Sequence, residues 1–119
     1  MAVSLEELSK VLVSLEEALA AEKTDISKDA SILRFVFCVE LSWKSAKKIM
    51  GTSATAPKQV IREMAQNGYI EDVDFWLKSI DQRNLSSHTY NEKLAEEVFA
   101  FAESFLYPAK QLLHKLQVL

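Results

Sequence analysis

Leucines at positions 5, 8, 12, 15 and 19 alternate spacings of three and four, which lays one apolar stripe along a helix from Ser4 to about Glu22. Ser4 followed by Glu7 has the Ser-x-x-Glu form of a capping box, and Glu6, Glu7, Glu16 and Glu17 fall off the stripe, as a solvated face does. Lys23-Thr24-Asp25 is a polar break. A second stripe of Ile32, Val36, Val39, Trp43, Ala46 and Met50 predicts a helix from about Ser27 to Met50, stopped by Gly51. Leu33, Phe35, Phe37 and Leu41 add apolar surface outside that stripe. This helix is therefore expected either at the centre of a bundle or at a subunit interface. Thr55 and Pro57 open a third helix carrying Val60, Ile61, Met64 and Ala65, which ends at Asn67-Gly68. A fourth runs from about Asp72 to Ser87 with Phe75, Trp76, Leu77 and Ile80. The last starts at the N-cap Asn91 and presents Val98, Phe101, Phe105, Leu112 and Leu116. Pro108 is expected to kink it, because its ring displaces the bond to the Ser104 carbonyl.

Two glycines and two prolines are too few for many short strands and turns. With no repeat, no low-complexity tract and no alternating segment, the prediction is all-α. The fold expected is a four- to five-helix antiparallel up-and-down bundle, one domain over residues 1–119. At 119 residues such a domain buries roughly two-thirds of its unfolded surface, enough for a core without staples. The lone Cys38, set in Phe35-Val36-Phe37-Cys38-Val39, reads as a buried small hydrophobe. One cysteine allows no internal disulfide, which suits a reducing compartment. The start of the chain lacks a signal-peptide pattern and no apolar run reaches membrane-spanning length. The expectation is thus cytoplasmic, with no membrane partner. A net charge of −3 argues against general affinity for nucleic-acid backbone. Lys44, Lys47 and Lys48 form the one dense basic spot, so any RNA contact must be local. As a bare pattern they read as a solvated helix face.

Several chemistries find no residues. There is no Gly-rich phosphate loop. Two histidines and one cysteine at unpaired spacings give no metal site, and no cofactor is expected. Asp72-x-Asp74 resembles a fragment of a nucleotidyltransferase metal motif, but it lacks the preceding Gly-Ser turn and a strand. It reads as an acidic cap at a helix N-terminus. His114, near the end of the last helix, suits the helix dipole and needs no other role.

One segment remains. Asp81-Gln82-Arg83-Asn84-Leu85-Ser86-Ser87-His88-Thr89-Tyr90-Asn91 is dense in polar groups between an apolar helix and a helix cap. If the helix continued through it, Arg83, Ser87 and Tyr90 would share a face at i, i+4 and i+7, with Asn84 and His88 on the next. The plainer alternative is a polar helix end with Arg83 salt-bridged and Tyr90 half buried. Glu40 falls on the apolar stripe of the second helix and needs a partner there. Lys44, one turn on, is the nearer choice, and Arg83 from a packed neighbour is the other. Trp43 and Trp76 read as core rather than as a base-stacking platform.

Arg83-x4-His88-x-Tyr90 is similar to the Arg-x(4–6)-His motif of the HEPN superfamily. Three blocks in order sharpen the match: Glu40-Leu41-Ser42-Trp43-Lys44, Val60-Ile61-Arg62-Glu63, and Arg83 to Asn91. Together they resemble the nucleotidyltransferase substrate-binding family, which includes the HepT-like toxins. The similarity covers about Leu33 to Phe105. It implies a helical-bundle homodimer with Arg83 and His88 in a cleft at its interface, and a minimal nucleotidyltransferase as companion. It also implies that Tyr90 matches the tyrosine adenylated by that partner, and that active members cut RNA without metal.

Such a cut requires a base for the ribose 2′-hydroxyl, an acid for the leaving oxygen and a cation for the phosphorane charge. An imidazole suits either proton task, and a guanidinium grips phosphate with two donors. His88 and Arg83 are the catalytic candidates, with Asn84 expected to orient His88 or hold a phosphate oxygen, and Ser87 and Glu40 in support. A two-fold dimer would supply a second His88, so that acid and base roles divide between protomers. Three functions therefore compete: a substrate-binding or regulatory partner of a nucleotidyltransferase in a toxin–antitoxin-like pair, a metal-independent endoribonuclease silenced at Tyr90, and an inert dimerisation bundle. RNA or a nucleotide is the expected ligand.

Overall fold

The computed structural model describes residues 4–118. Among them are five helices and no strand: α1 (Glu6–Ala20), α2 (Asp25–Met50), α3 (Pro57–Gln66), α4 (Val73–Leu85) and α5 (Glu92–Gln117), with a single 3-10 turn at Ser86–His88. The connections are short, residues 21–24, 51–56, 67–72 and 86–91, as an up-and-down bundle requires. Helix α2 touches each of the other four helices. Its 26 residues span about 39 Å at helical rise, which matches the 41 Å long axis of the molecule. The central position expected from its two apolar faces is therefore the one it takes.

Local chemistry sets the helix ends. Thr24 caps α2 by accepting from the Ser27 backbone N–H at 3.1 Å, while Ser27 Oγ accepts from Thr24 N–H at 2.9 Å. The capping box belongs here, and α2 begins at Asp25, two residues before the expected Ser27. The box expected at Ser4 does not form: Ser4 Oγ takes only the Glu6 N–H, at 3.4 Å, Leu5 occupies the cap position, and α1 ends at Ala20. Gly51 ends α2 at φ +66°, a left-handed conformation, and donates its N–H to Lys47 O at 3.0 Å. Nothing lies within 4 Å of where its Cβ would be, so backbone conformation and not space favours glycine. Pro57 opens α3 with Ala56 as its cap, and Thr55 contributes no capping bond. Asp72 caps α4 through Phe75 N–H at 3.0 Å, and Asn91 caps α5 through Lys93 and Leu94 N–H. Helix α5 continues through Pro108 to Gln117.

The core runs along α2. Phe35 is fully buried and meets Phe105 of α5 edge-on, with ring centres at 5.2 Å, and Phe101 at 5.7 Å. Trp76 of α4 meets Phe105 at 5.1 Å, and both tryptophans lie in the core. Cys38 is also buried, its Sγ 3.3 Å from Val11 O. Burial pushes the thiol up to about 12, far from a reactive thiolate. No helix among the described residues is long and apolar enough to cross a membrane.

Candidate functional site

Helices α2 and α4 pack so that the last turn of α4 lies against the middle of α2. There Arg83 Nε donates to Glu40 Oε1 at 2.8 Å. The other Glu40 oxygen faces Lys44 Nζ at 3.3 Å. Glu40 thus takes both partners at once. The cross-helix arginine, the less expected of the two, makes the shorter contact. The carboxylate side chain is 22% exposed against 40% for the guanidinium. An acid half-withdrawn from water therefore pins Arg83 through Nε, while the arginine side chain stays partly exposed. Arg83 Nη1 also approaches Asn84 Oδ1 at 3.4 Å. Asn84 therefore contacts Arg83; the structure gives no bond from it to His88.

Two ties hold this end of α4 in place. Gln82 Nε2 donates to Glu97 Oε2 of α5 at 2.7 Å, and Asp81 pairs with Lys58 of α3 at 2.7 Å.

The helix stops at Leu85, two residues before the expected Ser87, because the hydroxyls that follow bond back to the chain. Ser86 Oγ donates to Arg83 O, Ser87 Oγ to Asn84 O and Thr89 Oγ1 to Ser86 O, each three residues back. Such local bonds compete with the α-helical ladder and tighten the chain into a 3-10 turn. The continuous face joining Arg83, Ser87 and Tyr90 is consequently broken. Arg83 and Asn84 end α4, while His88 closes the 3-10 turn and Tyr90 follows it.

His88 is exposed, and its ring meets that of Tyr90 edge-on at 6.1 Å. Tyr90 is 85% exposed, so the plainer alternative holds for its salt-bridged Arg83 and fails for its half-buried Tyr90.

Beside Tyr90 lies a groove of about 370 Å³ lined by Ile32, Leu33 and Val36 of α2 together with Asp29, Ser86 and Thr89. A second groove of about 580 Å³ shares Asp29 and Thr89 and is lined by Asp25, Lys28, Glu92 and Glu96. Within it Glu96 holds Lys28 at 2.8 Å and raises its ammonium above the usual range. Thr89 lies within the polar segment singled out above but has no role assigned to it there, and Asp29 carries no motif. The sequence signal for Asp29 is its spacing from Ile32, Leu33 and Val36 along one side of α2. No group of three or more His, Cys, Asp or Glu suited to a metal occurs among the described residues.

A family model described as nucleotidyltransferase substrate binding protein like matches residues 3–118. The chain is 33% identical over 95 residues to a protein of Haemophilus influenzae named probable ribonuclease HepT, a match that covers 73% of this chain and 65% of that one. The chain thus spans less than two-thirds of that relative's length. Two solved structures share the fold. One, from Thermus thermophilus, has a TM-score of 0.85 and 31% identity over 92% of this chain and 98% of its own. The other, from Haemophilus influenzae, is described as revealing the fold of a substrate binding domain of a nucleotidyltransferase. It has a TM-score of 0.84 and 28% identity over 96% of this chain and 99% of its own.

Proposed function

The chain belongs to the nucleotidyltransferase substrate-binding protein-like family, and from that premise we propose that it is the partner subunit of a minimal nucleotidyltransferase and presents Tyr90 to it. In this reading it is one helical-bundle domain over residues 1–119, cytoplasmic, with no cofactor of its own. The observation that carries the reading is the placement of Tyr90: almost fully exposed, on a turn, beside a groove a second protein can grip. In the transfer, the phenol oxygen forms a bond to the α-phosphorus of ATP, pyrophosphate leaves, and the phenol proton passes to a base. Incubation with ATP, Mg²⁺ and the partner enzyme is expected to add the mass of one adenylate to the intact chain. Tyr90→Phe should lose that gain while keeping the fold, since the side chain is 85% exposed and its hydroxyl makes no hydrogen bond among the described residues. An equal gain in the variant would place the acceptor elsewhere and sink the assignment.

A second reading is favoured by the anchored Arg83. A guanidinium pinned by Glu40, its side chain 40% exposed, with an exposed imidazole on the following turn, suits a phosphodiester substrate. This chain is then a metal-independent endoribonuclease, with Arg83 and His88 catalytic, Asn84, Ser87 and Glu40 in support, and Tyr90 as its off-switch. The two readings describe two states of one protein. Adenylate on Tyr90 would place bulk and negative charge beside His88 and repel RNA phosphate.

Both states are proposed for a homodimer. Ile26, Leu33 and Phe37 stand at i, i+7 and i+11 on α2, one line along its outer side, and are 82%, 54% and 46% exposed. An apolar line of this length on the central helix is a surface to be covered. Light scattering is expected to give a dimer for the parent and a monomer of unchanged helicity for Leu33→Asp/Phe37→Asp. A parent that is monomeric at micromolar concentration removes the dimer from both readings.

A further inference from the structure

The C-terminal half of α2 carries the densest set of cations in the chain, and the site's own carboxylate gives that set a direction. Glu40 holds Arg83 through one oxygen and Lys44 through the other, so the two cations sit together despite their like charge. Lys47 and Lys48 follow seven and eight residues after Glu40, which places them on the same side of the helix. From Glu40 to Lys48 the row extends about 12 Å.

Most other lysines are matched. Lys10, Lys23, Lys28, Lys58 and Lys110 each meet a carboxylate at 3.2 Å or less. Among the described residues, Lys47 and Lys48 meet none within 4.0 Å. Of the carboxylates on α3 and α4, Glu63 is engaged by Thr52 at 2.6 Å and Asp81 by Lys58. The dipole of α2 favours cations in its last turn. That accounts for charge near Gly51, but not for a row continuous with Arg83 through Lys44.

We propose that this row is the track along which an RNA strand leaves the site, with Lys44, Lys47 and Lys48 facing successive phosphates beyond the one held by Arg83. The inference rests on the ribonuclease reading above. A stacked strand carries one phosphate per about 3.4 Å, so the row is long enough for about three. The local concentration of charge reconciles RNA binding with a net charge of −3: the strand is met along one side of one helix and repelled elsewhere.

The test uses the full chain carrying His88→Ala, which binds without cutting, and a fluorescent single-stranded RNA. Anisotropy is followed from about 50 to 200 mM salt, the range over which phosphate contacts are lost. Lys47→Gln/Lys48→Gln is expected to weaken binding roughly tenfold at the low-salt end. It should also flatten the slope of log K against log salt by about 1.4, at about 0.7 per contact on a single strand. Lys47→Arg/Lys48→Arg should restore both. Unchanged affinity and slope in the glutamine variant, with the parent binding RNA, would overturn the track and leave the ribonuclease reading standing. Failure of the arginine variant to restore binding would also overturn it, since arginine keeps the positive charge that the track requires. A parent that binds no RNA at any salt overturns both.

Discussion

His88→Ala is expected to slow cleavage of single-stranded RNA in EDTA by about 10²- to 10⁴-fold, the usual worth of a positioned proton-transfer group. In the proposed step the ribose 2′-oxygen bonds to the adjacent phosphorus and the 5′-oxygen leaves, giving a 2′,3′-cyclic phosphate. One proton must leave the 2′-hydroxyl and one must reach the departing oxygen. His88 is the only imidazole at the site, since His114 lies in the last turn of α5. The variant should fold like the parent, because His88 is exposed and its ring makes no hydrogen bond or ion pair among the described residues. A loss of cleavage at unchanged melting temperature is therefore a chemical effect. Equal cleavage by parent and variant would assign the cut to another group or to a contaminant. No cleavage by either, with Tyr90 still adenylated by the partner enzyme, would leave the partner reading alone.

The helices are legible in the sequence because their signals are local and redundant. Leu8, Leu12 and Leu15 repeat at helical spacing and are all buried, and so are Ile32, Val39, Trp43 and Ala46 of α2. Asn91 and Asp72 are caps whose chemistry needs no tertiary context. The family follows from three short blocks in a fixed order, and the comparison with known proteins gives the same family. Three features are hidden.

The capping box is expected at Ser4, although Thr24 and Ser27 form one, because Thr24-x-x-Ser27 uses a hydroxyl in place of the usual carboxylate or amide. The shape of the site segment is hidden because helix propensity there competes with three hydroxyls bonding backward, and residue types alone do not show which wins. The choice of Arg83 by Glu40 is hidden because 43 residues separate them. Only the packing of α4 on α2 brings them to 2.8 Å. The core is therefore readable from period, whereas the site depends on a turn and a long-range contact, which period does not encode.

The largest effect on stability is expected at Phe35, whose replacement by alanine should cost about 3–5 kcal/mol. The side chain has no exposed surface and touches Phe101 and Phe105 edge-on across the α2–α5 seam. Truncation removes its burial and both ring contacts and leaves a cavity that rigid helices on either side cannot collapse to fill. For a chain of this size each kcal/mol lowers the melting temperature by about 4 °C. Thermal unfolding of Phe35→Ala should thus begin roughly 12–20 °C below the parent, against no shift for His88→Ala.

The contrast bears on function as well as stability. Phe35 faces inward from the same helix that carries Glu40 to Arg83, Leu33 and Phe37 to the outer surface, and the lysine row beyond. Loosening that helix is expected to weaken dimerisation and RNA cleavage together, and only at temperatures where the variant is partly unfolded. Cleavage lost at low temperature in a fully folded Phe35→Ala would show that α2 must be held to tighter tolerance than its stability reports. A melting temperature equal to the parent's would mean that the seam between α2 and α5 is not where the fold's stability resides.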